Sequence, residues 1–257
     1  MPELTEEHED NEEAGEAGLH ERLNMRLARN DRDLPGAIDM DRPARLLSDR
    51  RVFRGPIFDV EERRIGLSLA DGGEEVISRQ LIRHAPVVVM LVHDVANDKY
   101  LLTREYRVGQ EGYVYGLPAG MMDEGEAPLG AALRELREET GVVPGPWGEG
   151  RRENPMTTPD LQEAGSGEAT DPDLWVDQAP DAYSSEGFLD ELAHLMVIHL
   201  YRWHSEETDF DPGEHVQSAW VSWEELTGAG IRSAKAIIVI QHEAMRRLVG
   251  RDVQGRV

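Results

Sequence analysis

Apolar positions along the chain fall into distinct rhythms, and each rhythm predicts a different kind of element. Between Arg51 and Arg83 the segments RVFRGPIFDV, EERRIGLSLA and EEVISRQLIR alternate apolar with polar residues around a turn signal at Asp71-Gly72-Gly73. A period of two puts the apolar set on one face, which predicts a small antiparallel sheet. PVVVMLVHDV, from Pro86 to Val95, is continuously apolar, the signature of a strand buried on both faces. Asn97-Asp98 then predicts a turn and KYLLTREYRV the returning strand. The period changes after Gly125. Leu129, Ala132, Leu133 and Leu136 recur at helical spacing and form a stripe that must bury against a core. Pro128 suits the first turn of that helix and Gly141 its end. Asp123, Glu124 and Glu126 crowd its N-terminal side, where the helix dipole favours negative charge. Downstream, ELAHLMVIHLYRW and QSAWVSW predict strands and SAKAIIVIQHEAMRRLV a closing amphipathic helix, so the elements together predict an α/β fold.

Two stretches carry no such rhythm. Residues 1–47 are polar and acidic, which predicts a disordered segment with at most a short helix from His20 to Arg29. Residues 144–184 are rich in Pro, Gly and acid and read as a long loop or insertion. Its Trp147 and Trp175 fit either anchoring to the body or stacking on a substrate. The organisation expected is an acidic segment at 1–47, a small β-sheet domain at 48–85 and a main domain at 86–250 carrying the insertion.

The net charge of −24 argues against nonspecific binding to nucleic acid, because phosphate-backbone binding depends on Lys and Arg. Two Lys stand against twenty-five Arg. An anionic substrate must therefore be met by local cations. No apolar run approaches the roughly 18 residues of a membrane span. MPELTEEHEDNEEAGEAG lacks the basic and apolar regions of a signal peptide, which predicts a cytoplasmic location. The absence of Cys excludes thiolate metal sites and Cys nucleophiles.

One helix face stands out. Glu135, Glu138 and Glu139 lie at i, i+3 and i+4, where like charges repel by roughly 0.2–0.5 kcal/mol per pair. Arg134 and Arg137 do not interrupt that face in the sequence, so compensation is expected from outside the helix. A hard divalent cation with oxygen ligands is the natural candidate. His194, His199 and His204 do not form a competing site: their spacing of five puts adjacent members on opposite strand faces.

The segment around these acids, GMMDEGEAPLGAALRELREETGV from Gly120 to Val142, resembles the Nudix box. Gly120, Glu126, Arg134, Glu135, Leu136, Glu138, Glu139, Gly141 and Val142 all fall in register with it. From Arg51 to Val249, the insertion excepted, the order of elements is similar to the ADP-ribose pyrophosphatase branch of that superfamily. The further resemblances are Arg104 to Arg107 (REYR), the LPAG turn, Gly187 to Glu191 (GFLDE) and the helix start at Ser233. The resemblance implies a Nudix α/β/α sandwich with a small N-terminal antiparallel β-sheet that exchanges across a homodimer. It implies hydrolysis of a nucleoside diphosphate linked to another moiety, such as ADP-ribose to AMP and ribose 5-phosphate. It also implies Mg²⁺, or Mn²⁺, held by Glu135, Glu138, Glu139 and the Ala119 carbonyl.

Physical chemistry adds roles to these positions. Arg134 and Glu126, with Gly120 in the turn, are expected to orient the metal-binding acids. Arg107 and Arg104 are expected either to bind phosphate through a planar guanidinium fork or to form strand-edge salt bridges. Among Glu206, Glu207 and Glu214, which precede a strand, Glu214 is the expected general base. Two departures from similar sequences bear on the substrate: Gly116 stands before Leu117 where they carry Glu, and Ser185-Glu186-Gly187 replaces their Pro-Gly. Both lie away from the metal-binding positions. Another nucleotide-sugar or dinucleotide diphosphatase, and a catalytically silent nucleotide-sensing module, remain alternatives.

Overall fold

A computed structural model describes residues 22–24, 27, 36–145, 173–210 and 212–250. The chain divides into two compact units, one of residues 1–55 and 59–81, the other of residues 56–58 and 82–257.

The first unit is a three-stranded sheet in the order β1-β2-β3, from β1 (Arg45–Arg54), β2 (Phe58–Ser68) and β3 (Glu74–His84). RVFRGPIFDV is thus two strands. Gly55-Pro56 breaks the ladder, because Pro has no N–H to donate, and the chain returns with Arg54 opposite Asp59. Part of the segment expected to be disordered belongs to this sheet: β1 begins at Arg45, and Ile38 bridges to Leu69. The bulk of residues 1–47 lies outside the described residues, apart from helical backbone at Arg22–Asn24 and Leu27. The β1–β2 ribbon leaves Leu46, Val52 and Phe53 exposed.

The second unit is built on β4 (Val87–Asp94), whose eight residues are all buried. It pairs in parallel with β11 (Leu192–Leu200) and antiparallel with β5 (Lys99–Arg107). The sheet runs β10-β11-β4-β5-β13, with β10 at Ala182–Tyr183 and β13 at Gln217–Val221. β6 (Gly112–Gly116) pairs with β5, β7 (Ala119–Met121) with β4, and β9 (Leu174–Gln178) with β11. The LPAG segment, expected as a turn, therefore becomes strand at Ala119. A separate pair joins β8 (Val142–Pro144) to β12 (Trp203–Ser205).

Period-two alternation sorts the core into two layers. Val88, Met90 and Val92 pack with Ala131, Ala132 and Leu136 of the helix α1 (Pro128–Thr140). Val87, Val89 and Leu91 pack on the other face with Ala236 and Val239 of the closing helix, while α2 (Trp223–Gly228) precedes it. That closing helix, α3 (Ala234–Leu248), is capped by Ser233, and Arg246 and Arg247 sit in its last turn where the dipole favours cations. QSAWVSW is accordingly part strand, part helix: Ser222 forms a capping box with Glu225 and Trp223 opens α2.

The stretch expected to be a long loop also contributes structure. Residues 173–184 supply β9 and β10, and Trp175 stacks on the buried His199 at 4.8 Å between ring centroids. Trp147 lies outside the described residues. His199 Nδ1 is 2.9 Å from His93 Nδ1, and His93 Nε2 is 3.1 Å from the Asp98 carboxylate. A carboxylate only accepts, so Nε2 of His93 carries the proton and its Nδ1 accepts from His199. Burial lowers the pKa of both imidazoles, that of His199 to about 2. His194 and His204 are engaged elsewhere, with Asp181 and with the Gly145 carbonyl.

Beside this pair lies a second buried polar cluster. Glu243 is fully buried on α3, accepts from the Tyr100 hydroxyl at 2.5 Å, and takes two bonds from Arg246 at 2.6 and 2.7 Å. Arg247 reaches the Tyr100 hydroxyl at 2.8 Å and Asp98 at 2.9 Å. No helix among the described residues is long and apolar enough to cross a membrane.

Candidate active site

Helix α1 enters on Ala127, which makes no side-chain cap, with Pro128 in the first turn. The acids preceding it do not occupy the first helical turn. Glu126 instead accepts from the Asp123 N–H at 3.0 Å and grips Arg134 with both oxygens, at 3.0 and 2.9 Å. The helix ends at Gly141 with φ 70°, and a Cβ there would meet the Glu206 carbonyl oxygen at 2.3 Å. Only Gly fits both conditions.

Arg134 is a hub. Besides Glu126 it donates to the Met121 carbonyl at 2.9 Å, to Glu135 at 2.8 Å and to Glu138 at 3.2 Å, while Arg137 approaches Glu138 at 3.4 Å. The sequence reading of an acidic face with no interleaved cation is corrected here. A long guanidinium reaches around the helix, so adjacency in sequence underestimates its range.

Glu139 is 4% exposed and accepts from the Ala119 N–H at 3.3 Å. Burial, reinforced by the negative charges of Glu135, Glu105 and Glu214, raises its pKa to about 8 against that one hydrogen bond. Glu135 is raised by burial too, opposed by Arg134 and reinforced by Glu138 and Glu214. Glu105 is raised by burial, with Arg107 opposing and Glu214 reinforcing. Five carboxylates, Glu105, Glu135, Glu138, Glu139 and Glu214, from α1, β5 and the loop before β13 thus interact.

Glu105 was not singled out in the sequence. Leu101 packs on the α1 side of the sheet and Leu102 on the α3 side. Alternation then assigns Glu105 and Arg107 to the face of the box acids and Arg104 to the opposite one. That count was open to sequence reasoning once the α1 side of β5 was known. Arg107 pairs with Glu105 at 2.5 Å. Arg104 lies over the Tyr113 ring at 5.4 Å, away from Arg107.

The acids form an all-oxygen donor set suited to Mg²⁺ or Mn²⁺. Among the described residues no three acidic or imidazole side chains stand close enough to hold an ion as they are, because Glu135 and Glu138 lean onto Arg134. The fit rests on charge: a buried carboxylate facing three others gains most from an added cation. The family model of the NUDIX domain matches residues 83–240, more than half of the chain.

The chain belongs to the Nudix family.

This Nudix chain is similar to two relatives in particular. It is 34% identical over 96 residues to ADP compounds hydrolase NudE of Escherichia coli (strain K12), covering 37% of this chain and 50% of that one. It is 23% identical over 201 residues to ADP-ribose pyrophosphatase of Bacillus subtilis (strain 168), covering 76% of this chain and 90% of that one. The match thus spans half the length of the first relative and most of the second. A crystal structure of ADP compounds hydrolase superposes with a TM-score of 0.55 at 20% identity, over 82% of this chain and 98% of that one. At that identity the likeness shows the fold.

Gly120 makes the box's close approach visible. A Cβ there would fall 1.9 Å from the Glu135 carboxyl carbon. The obstacle is the end of a flexible side chain, so Gly120→Ala is expected to fold and to swing Glu135 aside. The expected outcome is a loss of turnover of about 10- to 100-fold, the scale seen when supports of metal ligands are removed, with stability changed by about 1 kcal/mol or less. Steady-state kinetics beside a thermal melt check it; an unchanged kcat would remove Glu135 from the chemistry.

Proposed function

We propose that this Nudix chain hydrolyses a nucleoside diphosphate linked to a second moiety, with ADP-ribose, cleaved to AMP and ribose 5-phosphate, as the leading substrate. The observation that carries this reading is the buried Glu139, which accepts from the Ala119 N–H and feels the negative charges of Glu135, Glu105 and Glu214. The names of the two relatives, an ADP compounds hydrolase and an ADP-ribose pyrophosphatase, agree with it.

In this reading Glu135, Glu138, Glu139 and the Ala119 carbonyl hold Mg²⁺, with Mn²⁺ as a substitute. When bound, the metal neutralises diphosphate charge and favours an attacking hydroxide. The chain's own residues supply the rest. Glu214 takes the proton of the attacking water, from a loop whose charge is already felt by Glu135 and Glu139. Arg107, oriented by Glu105, presents its guanidinium fork to a phosphate. Arg134 ties the turn at Met121 and Glu126 to the helix, fixing where the acids stand.

Homodimerisation and a cytoplasmic location belong to the same proposal. The exposed Leu46, Val52 and Phe53 of the N-terminal sheet support the dimer. The division into an acidic N-terminal segment, a small β-sheet domain and a hydrolase domain belongs to that proposal as well.

The test is a hydrolysis screen with and without Mg²⁺ over ADP-ribose, nucleotide sugars, dinucleotides and nucleoside triphosphates, with products identified. Mg²⁺-dependent release of a nucleoside monophosphate is expected. Absence of turnover across the whole set would sink the enzymatic reading.

A further inference from the structure

The face of β5 opposite the acids carries a feature the reaction does not use. Leu102 packs on the α3 side of the sheet, and alternation puts Arg104 and Tyr106 on that side with it. Tyr115 of β6 and Gln217 of β13 stand directly across from Arg104, and Tyr113 across from Tyr106. The three tyrosines are exposed, Tyr113 to 68%. Two cavities share Arg104 and Gln217. One, of about 420 Å³, adds Tyr113, Phe210 and His215; the other, of about 510 Å³, adds Tyr115. Both are within the range of small-molecule sites.

We propose that this groove is a binding site for a small planar aromatic carboxylate, separate from the site of hydrolysis. It goes beyond the hydrolase reading and does not depend on it, because the groove's side chains and the box acids stand on opposite faces of β5. The cation is the first observation. Arg107, on the acid face, is held by Glu105, whereas Arg104 has no carboxylate partner among the described residues. In a chain of net charge −24 acids are plentiful, yet none is placed against it. The rings are the second observation. The Arg104 guanidinium lies 5.4 Å from the Tyr113 ring centre, and Tyr106 meets that ring edge to face at 5.6 Å. A flat cation is thus preset beside flat rings, the combination that takes an aromatic ring and an anion together.

The field around the groove decides which anion. A guanidinium fork matches carboxylate and phosphate alike. A phosphate monoester carries about −1.5 to −2 at pH 7, and its repulsion by surrounding acids grows with that charge. Glu105 and Glu214 are the sequence neighbours of Arg104 and His215, so those acids lie just behind the groove and favour the singly charged carboxylate. Gln217 adds a donor and an acceptor side by side, which can orient a polar substituent on the ring. The same connectivity gives occupancy a consequence. Strand β5 and the loop before β13 each supply one residue to the acid face and the next to the groove. A ligand here bears from behind on the segments that carry Glu105 and Glu214, the position of an effector and not of a substrate.

The experiment is calorimetric titration of the intact protein with indole-3-carboxylate, beside indole, which keeps the ring, and acetate, which keeps the charge. The aromatic carboxylate is expected to bind at least about tenfold tighter than either, and Arg104→Gln or Tyr113→Ala to weaken it by about tenfold. Tyr113→Phe should retain binding. Both side chains are exposed, so their replacement does not threaten the fold; a thermal melt checks this. Affinity indifferent to Arg104 and Tyr113 would overturn the proposal, as would indole binding as tightly as its carboxylate. AMP serves as the more highly charged aromatic probe: tighter binding of AMP that depends on Tyr113 would overturn the choice of a carboxylate. A change of oligomeric state in Tyr113→Ala would assign the face to a second copy of the chain instead. The hydrolase reading fails on a different readout, absence of diphosphate turnover, which none of these titrations measures.

Discussion

Glu139→Gln is expected to lower kcat by about a thousandfold, the scale on which removing one charge-stabilising group acts, while making the metal-free protein more stable at pH 8. The two effects have one cause. Burial and three neighbouring carboxylates hold Glu139 near pKa about 8, above its ordinary value of 4.5. Between those values the folded state binds more protons than the unfolded, so stability falls as pH rises from about 4.5 to 8. Below 4.5 the carboxyl is neutral in both states and that cost disappears. Gln keeps an acceptor for the Ala119 N–H and never charges. In the presence of a chelator, the variant should melt about 5–10 °C higher at pH 8, with the gap closing toward pH 5. Thermal melts across that range, beside kinetics in Mg²⁺, read both effects. A variant no more stable than the parent at pH 8 would show that the cluster is relaxed by solvent.

The second large effect concerns stability alone. Glu243→Ala is expected to cost about 3–5 kcal/mol, because it removes the fully buried carboxylate that pairs with Arg246 and strips the Tyr100 hydroxyl of its acceptor. In a chain of this size that lowers the melting temperature by about 10 °C. Replacing Glu243 and Arg246 together by apolar residues should recover most of the loss, since what costs most is a buried charge left alone. Melting temperatures of the single and double variants decide between this and a simple cavity effect, in which the double variant would be no better.

Much of this molecule was legible in the sequence where one local rule governed. The continuous apolar run gave β4, the helical stripe gave α1, and the Gly141 terminus was visible as a residue type. The acids of the box were readable because their spacing is fixed by one helix. What escaped depended on contacts distant in sequence. β9 and β10 lie in a stretch of Pro, Gly and acid whose strands exist because β11 offers them an edge, a tertiary effect that overrides local propensity. The Arg134 hub was missed because a side chain's reach is not written in its position. Glu105 sat inside a segment already noted for its arginines, and its role depends on which face of β5 looks toward α1. The unrhythmic first 47 residues were taken too broadly, since Arg45 already lies in a strand.

Arg134 gives the site a property beyond orientation. Its guanidinium already occupies oxygens of Glu135 and Glu138, so the site carries its own counter-ion. An incoming cation must compete with a resident charge of +1 for the same carboxylates. A monovalent ion gains nothing in that exchange, whereas a small divalent ion gains in proportion to its charge density. In the metal-binding reading proposed above, the same arginine that keeps the acids assembled would act as a threshold, setting which ions are worth admitting.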